Sequence, residues 1–304
     1  MEFRPRGVVI IPTLGRASLK RVIDEIIADS IGQEVRIVLV ADGIKALEKI
    51  RRLSLISPQV DLVLNESING ISGSFNTGLS RVKEGEFIFL FSDDDYWKMG
   101  KFKKLFEAIS EYASENTIVI SQVLKNNRGK NAFPKYRKDP IICMMTFAYG
   151  HRVFFKNSNY VSLTAAVFPS NARWIKFREE YKLREDLIWL QDLITSGFAI
   201  SRSNQVTAEV VMNYKHTVIR EEVQQTRLFL KYLESINPKL KETFLHYHLL
   251  RPFAVSGDRD GFKNTYKMFV APERSKSIRN SISICFLKLV TCYSSLKRRD
   301  SAYM

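Results

Sequence analysis

The 304-residue sequence predicts an α/β fold, with a mostly parallel, mixed sheet flanked by helices and a helical C-terminal extension. Short apolar runs alternate with helical patterns as far as residue 124, which is the order expected of strand–helix–strand units. Beyond residue 221 the hydrophobic spacing is mainly helical. We therefore expect one domain over residues 1–215, with two halves that meet near residue 124, and a basic helical extension over residues 216–304.

The first two strands are predicted at residues 8–13 and 35–40. The first is continuously apolar and stops at Pro12-Thr13, and the second ends just before Asp42. Between them lies the spacing of an amphipathic helix, with apolar residues at Leu19, Val22, Ile23, Ile26 and Ile27. Because open α/β sheets bind ligands at the carboxyl ends of their strands, Thr13 and Asp42 are candidate site residues.

The acidic triplet Asp93-Asp94-Asp95 is the most informative feature of the chain. It follows residues 87–91, an apolar and aromatic run typical of a buried strand. Three adjacent carboxylates repel one another unless a cation lies among them, and hard divalent cations prefer oxygen ligands. A solvated turn or a helix N-cap is the alternative interpretation, because Asp is common in both.

Two further segments bear on this edge of the predicted sheet. Residues 69–79 form a Gly- and Asn-rich turn that opens a helix leading back to the acidic strand. Later in the chain, Glu185-Asp186 precedes a helical pattern that runs to Gly197. Acidic residues favour the first turn of a helix through the macrodipole, so this pair also has a purely structural interpretation.

The second half of the domain carries weaker patterns. Residues 140–160 interleave aromatic and cationic side chains, which suit either the wall of a sugar-binding site or an apolar core beneath a loop. The other predicted elements are a helix at 98–113, strands at 117–124, 160–168 and 205–214, a polar loop at 125–139, and helices at 223–233, 240–250 and 261–268.

Taken together, the order of these motifs resembles the family-2 glycosyltransferases of GT-A (nucleotide-diphospho-sugar transferase) fold. In that family a first strand ends in Pro-Thr, a second ends in Asp, and an Asn-Gly…Asn-x-Gly helix precedes a hydrophobic strand that ends in a metal-binding DXD motif. An acidic pair at the start of a later helix completes the set. The chain departs from the pattern at Phe75, where the family often has Arg, and at Ser92, where the DXD motif usually begins.

The resemblance implies a nucleotide-sugar site at these strand ends. Asp42 would accept the N3–H of uracil, although an Asp in a turn before Gly43 is an equally simple interpretation. Asn76, with the nearby glycines, would let the backbone approach the nucleotide and cap the following helix, and Asp93 would face the ribose. The implied nucleotide-sugar-binding residues are Pro12, Thr13, Arg16, Asp42, Asn76, Asp93 and Asp94.

The resemblance also implies the chemistry. Asp95, the favoured ligand, and Asp94 would hold Mn²⁺ or Mg²⁺ against the donor diphosphate. Asp186 would be the general base that takes the acceptor proton, and Glu185 the weaker candidate that orients the acceptor. His216 and Arg220 resemble a basic segment that closes over the diphosphate, with a merely solvated loop as the alternative.

The net charge of +15 bears on partners. Nucleic acid, anionic lipid and phosphorylated substrates all suit a basic surface, but no zinc-finger spacing or aromatic RNA-binding motif supports nucleic acid. Apolar residues recur at helical spacing over residues 278–296, with basic residues around them. This helix either lies in a membrane interface or packs its apolar stripe on the catalytic domain.

The compartment is expected to be the cytoplasm, with peripheral contact at the inner face of the membrane. The three cysteines, Cys143, Cys285 and Cys292, lack metal-ligand spacing and form no even disulfide set. Residues 1–6 lead directly into the first strand, which leaves no room for a secretory signal. No apolar stretch reaches the length of about 18 residues that a spanning helix needs.

The predicted function is an inverting sugar transfer from a nucleotide-diphospho sugar, with a UDP-sugar favoured, to a glycan acceptor. A lipid-diphosphate-linked acceptor, as in bacterial O-antigen or capsule assembly, follows by analogy. One alternative is a sugar nucleotidyltransferase, and another is a non-catalytic basic module that binds nucleic acid or membranes on a transferase-like scaffold. A Rossmann dehydrogenase is disfavoured because Pro12-Thr13-Leu14-Gly15-Arg16 replaces the required G-x-G-x-x-G.

Overall fold

The computed structural model describes residues 5–53, 57–65, 70–111, 116–125, 132–134, 141–149, 161–210, 220–250, 253 and 259–270. The chain divides into two compact units. The first comprises residues 1–148 and 157–216, and the second comprises residues 149–156 and 217–304.

A four-stranded parallel sheet in the order β3-β2-β1-β4 forms the centre of the first unit. Its register places Thr13 beside Ala41 and Ile10 beside Leu90, so β1, β2 and β4 end at the same edge. The strands are β1 (Arg6–Thr13), β2 (Glu34–Ala41), β3 (Val60–Leu64) and β4 (Glu86–Leu90). The predicted convergence of the strand ends is therefore confirmed.

Helices cover both faces of this sheet, as predicted. α1 (Ser18–Asp29) and α2 (Ile44–Arg52) bury their apolar stripes in one cluster with Val9 and Ile11 of β1. α3 (Ile71–Leu79) packs on the opposite face, where Gly78 approaches the sheet so closely that a Cβ would lie 2.2 Å from Ile10 Cγ2. The glycine of the Asn-x-Gly motif is therefore required by helix–sheet packing.

A second, mixed sheet follows in the order β5-β9-β6-β7, with β8 paired to β6. Ile88 and Phe168 exchange backbone hydrogen bonds of 2.7 and 2.9 Å, which join it to β4. Its elements, with the helices between them, are β5 (Tyr96–Trp97), α4 (Lys101–Glu111), β6 (Thr117–Lys125), β7 (Ala132–Phe133), α5 (Met144–Tyr149), β8 (Ala166–Val167), α6 (Glu185–Thr195) and β9 (Ala199–Val210).

Three predictions about the strands need correction. β6 leaves the first sheet and pairs with β9 in parallel. The strand predicted at 160–168 is shortened to β8 at Ala166–Val167, and a 3-10 turn at Leu163–Ala165 precedes it, in which the Ser162 hydroxyl accepts the Thr164 backbone N–H. β9 begins at Ala199, six residues before the predicted start, since the polar run Ser201 to Gln205 conceals it from hydrophobic patterning.

The second unit is helical where it is described. Its elements are α7 (Arg220–Ile236), α8 (Pro238–Thr243), a π-helix (Phe244–Leu250), α9 (Arg259–Thr265) and a second π-helix (Tyr266–Val270). Phe229, Leu233 and Phe244 form part of its buried core. The amphipathic segment predicted at 278–296, with Cys285 and Cys292, lies outside the described residues. Across the described parts of the chain, no helix combines the length and apolarity needed to cross a membrane.

Candidate active site

The carboxyl edge of the first sheet collects the predicted site residues. Thr13 is the last residue of β1, and Asp42 and Asp93 lie just beyond β2 and β4. The Asp42 backbone N–H donates to the Thr13 carbonyl at 3.0 Å. This bond holds the first two strand ends together immediately beyond their ladder. Side chains from three different strands therefore meet at one edge.

Asp93 is engaged by two donors and buried. Its Oδ2 accepts the Thr13 hydroxyl at 2.5 Å, and its Oδ1 accepts Arg16 Nη1 at 2.6 Å. Only 2% of Asp93 is exposed. Because both carboxylate oxygens already have donors, the first aspartate of the triplet fixes the β1 and β4 ends to each other in this structure.

Asp94 faces the opening. Its carboxylate accepts Arg16 Nη1 at 2.9 Å and the Ser92 hydroxyl at 2.5 Å, and 36% of its side chain is exposed. Arg16 is itself half-exposed. Asp94 is thus the member of the triplet whose charge is most accessible to a ligand in solution.

Asp95 lies beside a buried lysine that the sequence analysis missed. Asp95 is 4% exposed, and Lys101 is fully buried, with its Nζ donating to the Thr164 carbonyl. The ammonium also lies 3.9 Å from the Trp97 ring centroid and 4.6 Å from that of Phe91. Burial lowers the pKa of Lys101 to about 7, against the opposing effect of the Asp95 and Asp29 carboxylates. No periodic signal distinguishes this lysine from its exposed neighbours.

The turn after the triplet is held by α1. Arg21 Nη2 donates to the Asp95 carbonyl at 2.9 Å, and its guanidinium lies 3.9 Å from the Tyr96 ring centroid. Glu25 accepts both Arg21 and the Trp97 backbone N–H. These contacts fix the backbone of the triplet from the helix side.

Asp42 is held by two donors just beyond the end of β2. Its Oδ1 accepts the Asn65 amide and the Gly70 backbone N–H, both at 3.0 Å. Asn65 is oriented in turn by the Thr77 hydroxyl at 3.1 Å. Among the described residues no donor reaches Oδ2, which leaves an acceptor for a ligand N–H.

Asn76 has a different position from the one expected. The prediction that it caps α3 is wrong, because the helix starts at Ile71 with Gly70 as its N-cap. Its amide instead donates to the Phe177 carbonyl and to Glu179, and its Oδ1 accepts the Phe177 N–H at 2.8 Å. Asn76 therefore ties α3 to the segment that leads into the acidic pair.

The acidic pair begins α6, as the sequence predicts. Arg184, directly before it, has a left-handed φ of 62°, which is costly for a residue with a Cβ and marks a constrained turn. Desolvation by burial, and then the charge of Asp186, raise the pKa of Glu185 to about 8. Burial also raises the pKa of Asp186, although its Oδ1 accepts the Leu187 N–H at 2.8 Å.

A cleft of about 230 Å³ brings the triplet and the acidic pair together. Asp94 and Asp95 line one side, and Glu185 and Asp186 line another. The remaining lining residues come from the strand ends, α3 and the 3-10 turn, and are Pro12, Ile71, Phe75, Leu90, Phe91, Ser92, Ser162, Leu163, Thr164 and Val210. Residues about 90 positions apart in the sequence thus share one small cavity.

Two predicted residues cannot be placed at this cleft. His216 lies outside the described residues, and Arg220 is the first residue of α7, with no described side-chain environment. Phe75, at the position where the family often has Arg, stacks on Phe177 with ring centroids 4.9 Å apart. An aromatic contact therefore stands where a cationic one was expected.

The residues present fit a hard divalent cation bound together with a ligand. No group of three potential ligands occurs among the residues that the structure describes. Mg²⁺ and Mn²⁺ are commonly held by one or two carboxylates, with phosphate oxygens and water completing the shell. The accessible carboxylate of Asp94, beside that of Asp95, matches such an incomplete protein ligand set.

Comparison with known proteins identifies the class. The sequence profile described as "Glycosyl transferase family 2" matches residues 8–204, which contain every element of the cleft except Val210. The chain belongs to glycosyltransferase family 2, and it is a glycosyltransferase of GT-A fold. A comparison with curated proteins finds no similar sequence.

Solved structures of one protein from S. aureus share the fold. The structure entitled "Crystal structure of S. aureus TarS 1-349" aligns with a TM-score of 0.52 and 15% identity, covering 97% of this chain and 82% of TarS 1-349. "Crystal structure of S. aureus TarS" gives a TM-score of 0.57 and 17% identity, covering 97% of this chain and 53% of the other. At such identity the likeness concerns the fold alone.

Proposed function

We propose that this glycosyltransferase moves a sugar, with inversion, from a nucleotide-diphospho sugar to a glycan acceptor in the cleft between the acidic triplet and the acidic pair. The observation that carries the proposal is that Asp94 and Asp186 line the same cavity. Asp94 would hold the divalent cation that binds the donor diphosphate. Asp186 belongs to a pair of carboxyl groups whose pKa values are raised by burial. We assign this activity to residues 1–215.

The donor nucleotide would lie along the strand ends, with UDP favoured. The free Oδ2 of Asp42 would accept the N3–H of uracil, and its orientation is fixed by Asn65 and Gly70. Pro12, which lines the cleft, and Thr13 are assigned to the same nucleotide site. Arg16, which is 49% exposed at its side chain, can rotate from the carboxylates to the diphosphate.

Asp94 is assigned as the first ligand of Mn²⁺ or Mg²⁺, ahead of Asp95. Asp94 is accessible, whereas Asp95 is buried and close enough to the Lys101 ammonium to interact with its charge. A bound divalent cation would supply charge stabilisation for the departing diphosphate. Asp93 would contribute mainly by fixing Thr13 and Arg16.

Asp186 would take the proton from the attacking acceptor hydroxyl. A general base works best with a pKa near the working pH, and burial moves the pKa of Asp186 in that direction. Glu185, with a pKa of about 8, stays protonated at neutral pH and can donate a hydrogen bond to the acceptor. Attack from the face opposite the diphosphate in a single displacement inverts the anomeric centre.

The acceptor is proposed to be a glycan attached to a lipid diphosphate, met at the inner face of the membrane. The net charge of +15 and the basic amphipathic pattern at residues 278–296 support this. Cosedimentation with vesicles of phosphatidylglycerol, compared with phosphatidylcholine vesicles, tests the association. Equal partitioning to both would contradict it.

The donor site is tested by thermal shift with UDP-, GDP- and dTDP-sugars, each with and without Mn²⁺. A ligand that binds only the folded state raises the melting temperature by an amount that grows with the logarithm of its concentration relative to the dissociation constant. We expect a UDP-sugar to stabilise the protein only when Mn²⁺ is present, and Asp94→Asn to abolish that shift. Asp61→Asn, an exposed aspartate on β3 that does not line the cleft, serves as the matched control. The absence of any metal-dependent shift with all three donors would contradict the proposal.

A further inference from the structure

A second concave surface lies at the opposite end of β4 from the acidic triplet. This groove, of about 600 Å³, is lined by Glu84, Phe87, Pro169, Asn171, Arg173 and Trp174, among others. β4 separates the two regions by about 13 Å, taking about 3.3 Å for each residue of a strand. No residue of the cleft lines the groove, so it is a separate feature of the first unit.

Trp174 gives the groove an exposed aromatic surface. It is 70% exposed, whereas the other two tryptophans of the chain, Trp97 and Trp189, are 4% and 0% exposed. The Arg173 guanidinium lies 4.6 Å from the Trp174 ring centroid and donates to the Val82 carbonyl at 3.2 Å. An indole that is held in place by an anchored arginine, yet left open to solvent, is ready to stack on a ligand.

Two acceptors of the groove, one on Asn171 and one on Glu84, have no donor among the residues that the structure describes. Asn171 Oδ1 is buried without a hydrogen-bond partner, while its Nδ2 donates to Asn116 at 2.5 Å. The Glu84 carboxylate is exposed and forms no ion pair with any residue that the structure describes. A buried polar atom without a hydrogen-bond partner is costly, so the position of Asn171 Oδ1 indicates that a ligand supplies the donor.

We propose that this groove binds a segment of a glycan chain, at a site separate from the transfer centre. Sugar rings present C–H faces that stack on an indole, and their hydroxyl groups supply the O–H donors that Asn171 and Glu84 lack. An anionic lipid headgroup or a nucleic-acid backbone offers mainly phosphate acceptors, which Glu84 would repel. The chemistry of the groove therefore favours neutral pyranose units.

The identity of the bound chain rests on the proposed function, because a sugar transferase has a glycan as acceptor and product. A segment held in the groove would keep an elongating chain on the enzyme while its end reaches the cleft. The site would then favour long acceptors over short ones, without touching the reacting atoms.

Acrylamide quenching of tryptophan fluorescence tests the groove directly. Because Trp97 and Trp189 are buried, the quenchable emission comes from Trp174. The probes are maltohexaose, cellohexaose, chitohexaose and mannohexaose, with glucose as the monosaccharide control. We expect at least one hexasaccharide to lower the quenching constant by about twofold as it covers the indole, whereas glucose leaves it unchanged.

Three variants complete the test. Trp174→Phe should remove the quenchable component, which verifies the assignment of the signal. Asn171→Ala should weaken the protection by the active hexasaccharide about tenfold, as expected for the loss of a polar group worth roughly 1–2 kcal/mol. Asp94→Ala, which disables the proposed donor site, should leave the protection unchanged. Loss of donor binding with intact glycan protection would therefore separate the two proposals.

Three outcomes would overturn the glycan site. The first is that none of the four hexasaccharides protects Trp174. The second is protection that grows with protein concentration in the absence of sugar, which would mean that a second copy of the chain covers the groove. The third is protection by phosphatidylglycerol vesicles and by no sugar, which would indicate a membrane contact.

Discussion

At the scale of single residues, the acidic triplet resolves into three environments. Asp93 is taken by Thr13 and Arg16, Asp95 is buried near Lys101, and Asp94 faces the cleft. Adjacent residues of one turn point in different directions, so three identical aspartates have different partners and different solvent access. Glu185 and Asp186 also differ although they are adjacent. Burial raises the pKa of both, but the charge of Asp186 raises that of Glu185 further, whereas the Leu187 N–H opposes the rise at Asp186.

Asp186→Asn should lower kcat by about 10²–10⁴-fold, since general-base assistance typically contributes that much. Donor binding should be nearly unchanged, because Asp186 is assigned to the acceptor proton. The measurement pairs steady-state turnover with calorimetric binding of the donor in Mn²⁺. Wild-type turnover in this variant would remove Asp186 from the mechanism.

The pH profile should report the acidic pair. Because burial raises the pKa of Asp186, kcat/KM should rise with pH as this group loses its proton, at a pH above the ordinary carboxyl range. Glu185 should add an inflection near pH 8, its own raised pKa. Glu185→Gln mimics the protonated form, so it should keep the first limb and lose the inflection. A profile that is flat above pH 5 would contradict this assignment.

At the scale of elements, α1 and α3 are held by contacts that their own sequences do not specify. α3 fits because Gly78 has no side chain over Ile10, and Asn76 joins it to the segment before α6. α1 reaches the triplet through Arg21. The elements are therefore positioned by a few side chains that cross between them.

Gly78→Ala should destabilise the protein by roughly 1–3 kcal/mol, the usual cost of overpacking. The added Cβ would lie 2.2 Å from Ile10 Cγ2, so the helix or the strand must shift. Urea unfolding of the single variant, of Ile10→Ala and of the double variant gives the coupling between the two sites. Because Ile10→Ala removes the clashing carbon, the double variant should be more stable than the sum of the single effects. Strict additivity would show that the contact is not tight.

At the scale of the whole first unit, Lys101 connects both sheets to the cleft wall. It belongs to α4, contacts the rings of Phe91 after β4 and Trp97 of β5, and donates to Thr164 in the 3-10 turn. A fully buried ammonium is an expensive choice for such a junction, unless its charge is needed near the carboxylates. Its position behind Asp95 gives the acidic cleft a positive charge that titrates near pH 7.

Lys101 should make stability depend on pH. Its pKa is about 7 in the folded protein and that of an ordinary lysine, 10.5, when unfolded. Between these values the unfolded state binds more protons, so the contribution of Lys101 to the free energy of unfolding rises with pH from about 7 to 10.5. Urea unfolding across this range should show that slope in the wild type, and Lys101→Met should reduce it. Equal slopes in both proteins would contradict the buried position of the charge.

The alternation of elements, the strand ends and the family can all be predicted from the sequence. Apolar runs are visible because a buried parallel strand is apolar on both faces, and the motifs Pro12-Thr13, Asp42 and the triplet stand out because they interrupt the apolar runs where the strands end. The predicted start of β9 lies six residues too far along the chain, because the first part of this strand is polar and partly exposed. The start of α6 at the acidic pair could be predicted because acidic residues favour the first turn of a helix.

Only packing in the folded protein determines which of these residues line one cavity and which carboxylate a ligand can reach. The cleft joins strand ends to α6, and sequence spacing holds no information on that distance. Lys101 resembles any surface lysine in the sequence, and only packing reveals its burial beneath Phe91 and Trp97. The role of Asn76 in tying two segments together depends likewise on contacts 101 residues away. Long-range packing sets desolvation and electrostatics, and these set the chemistry of the site.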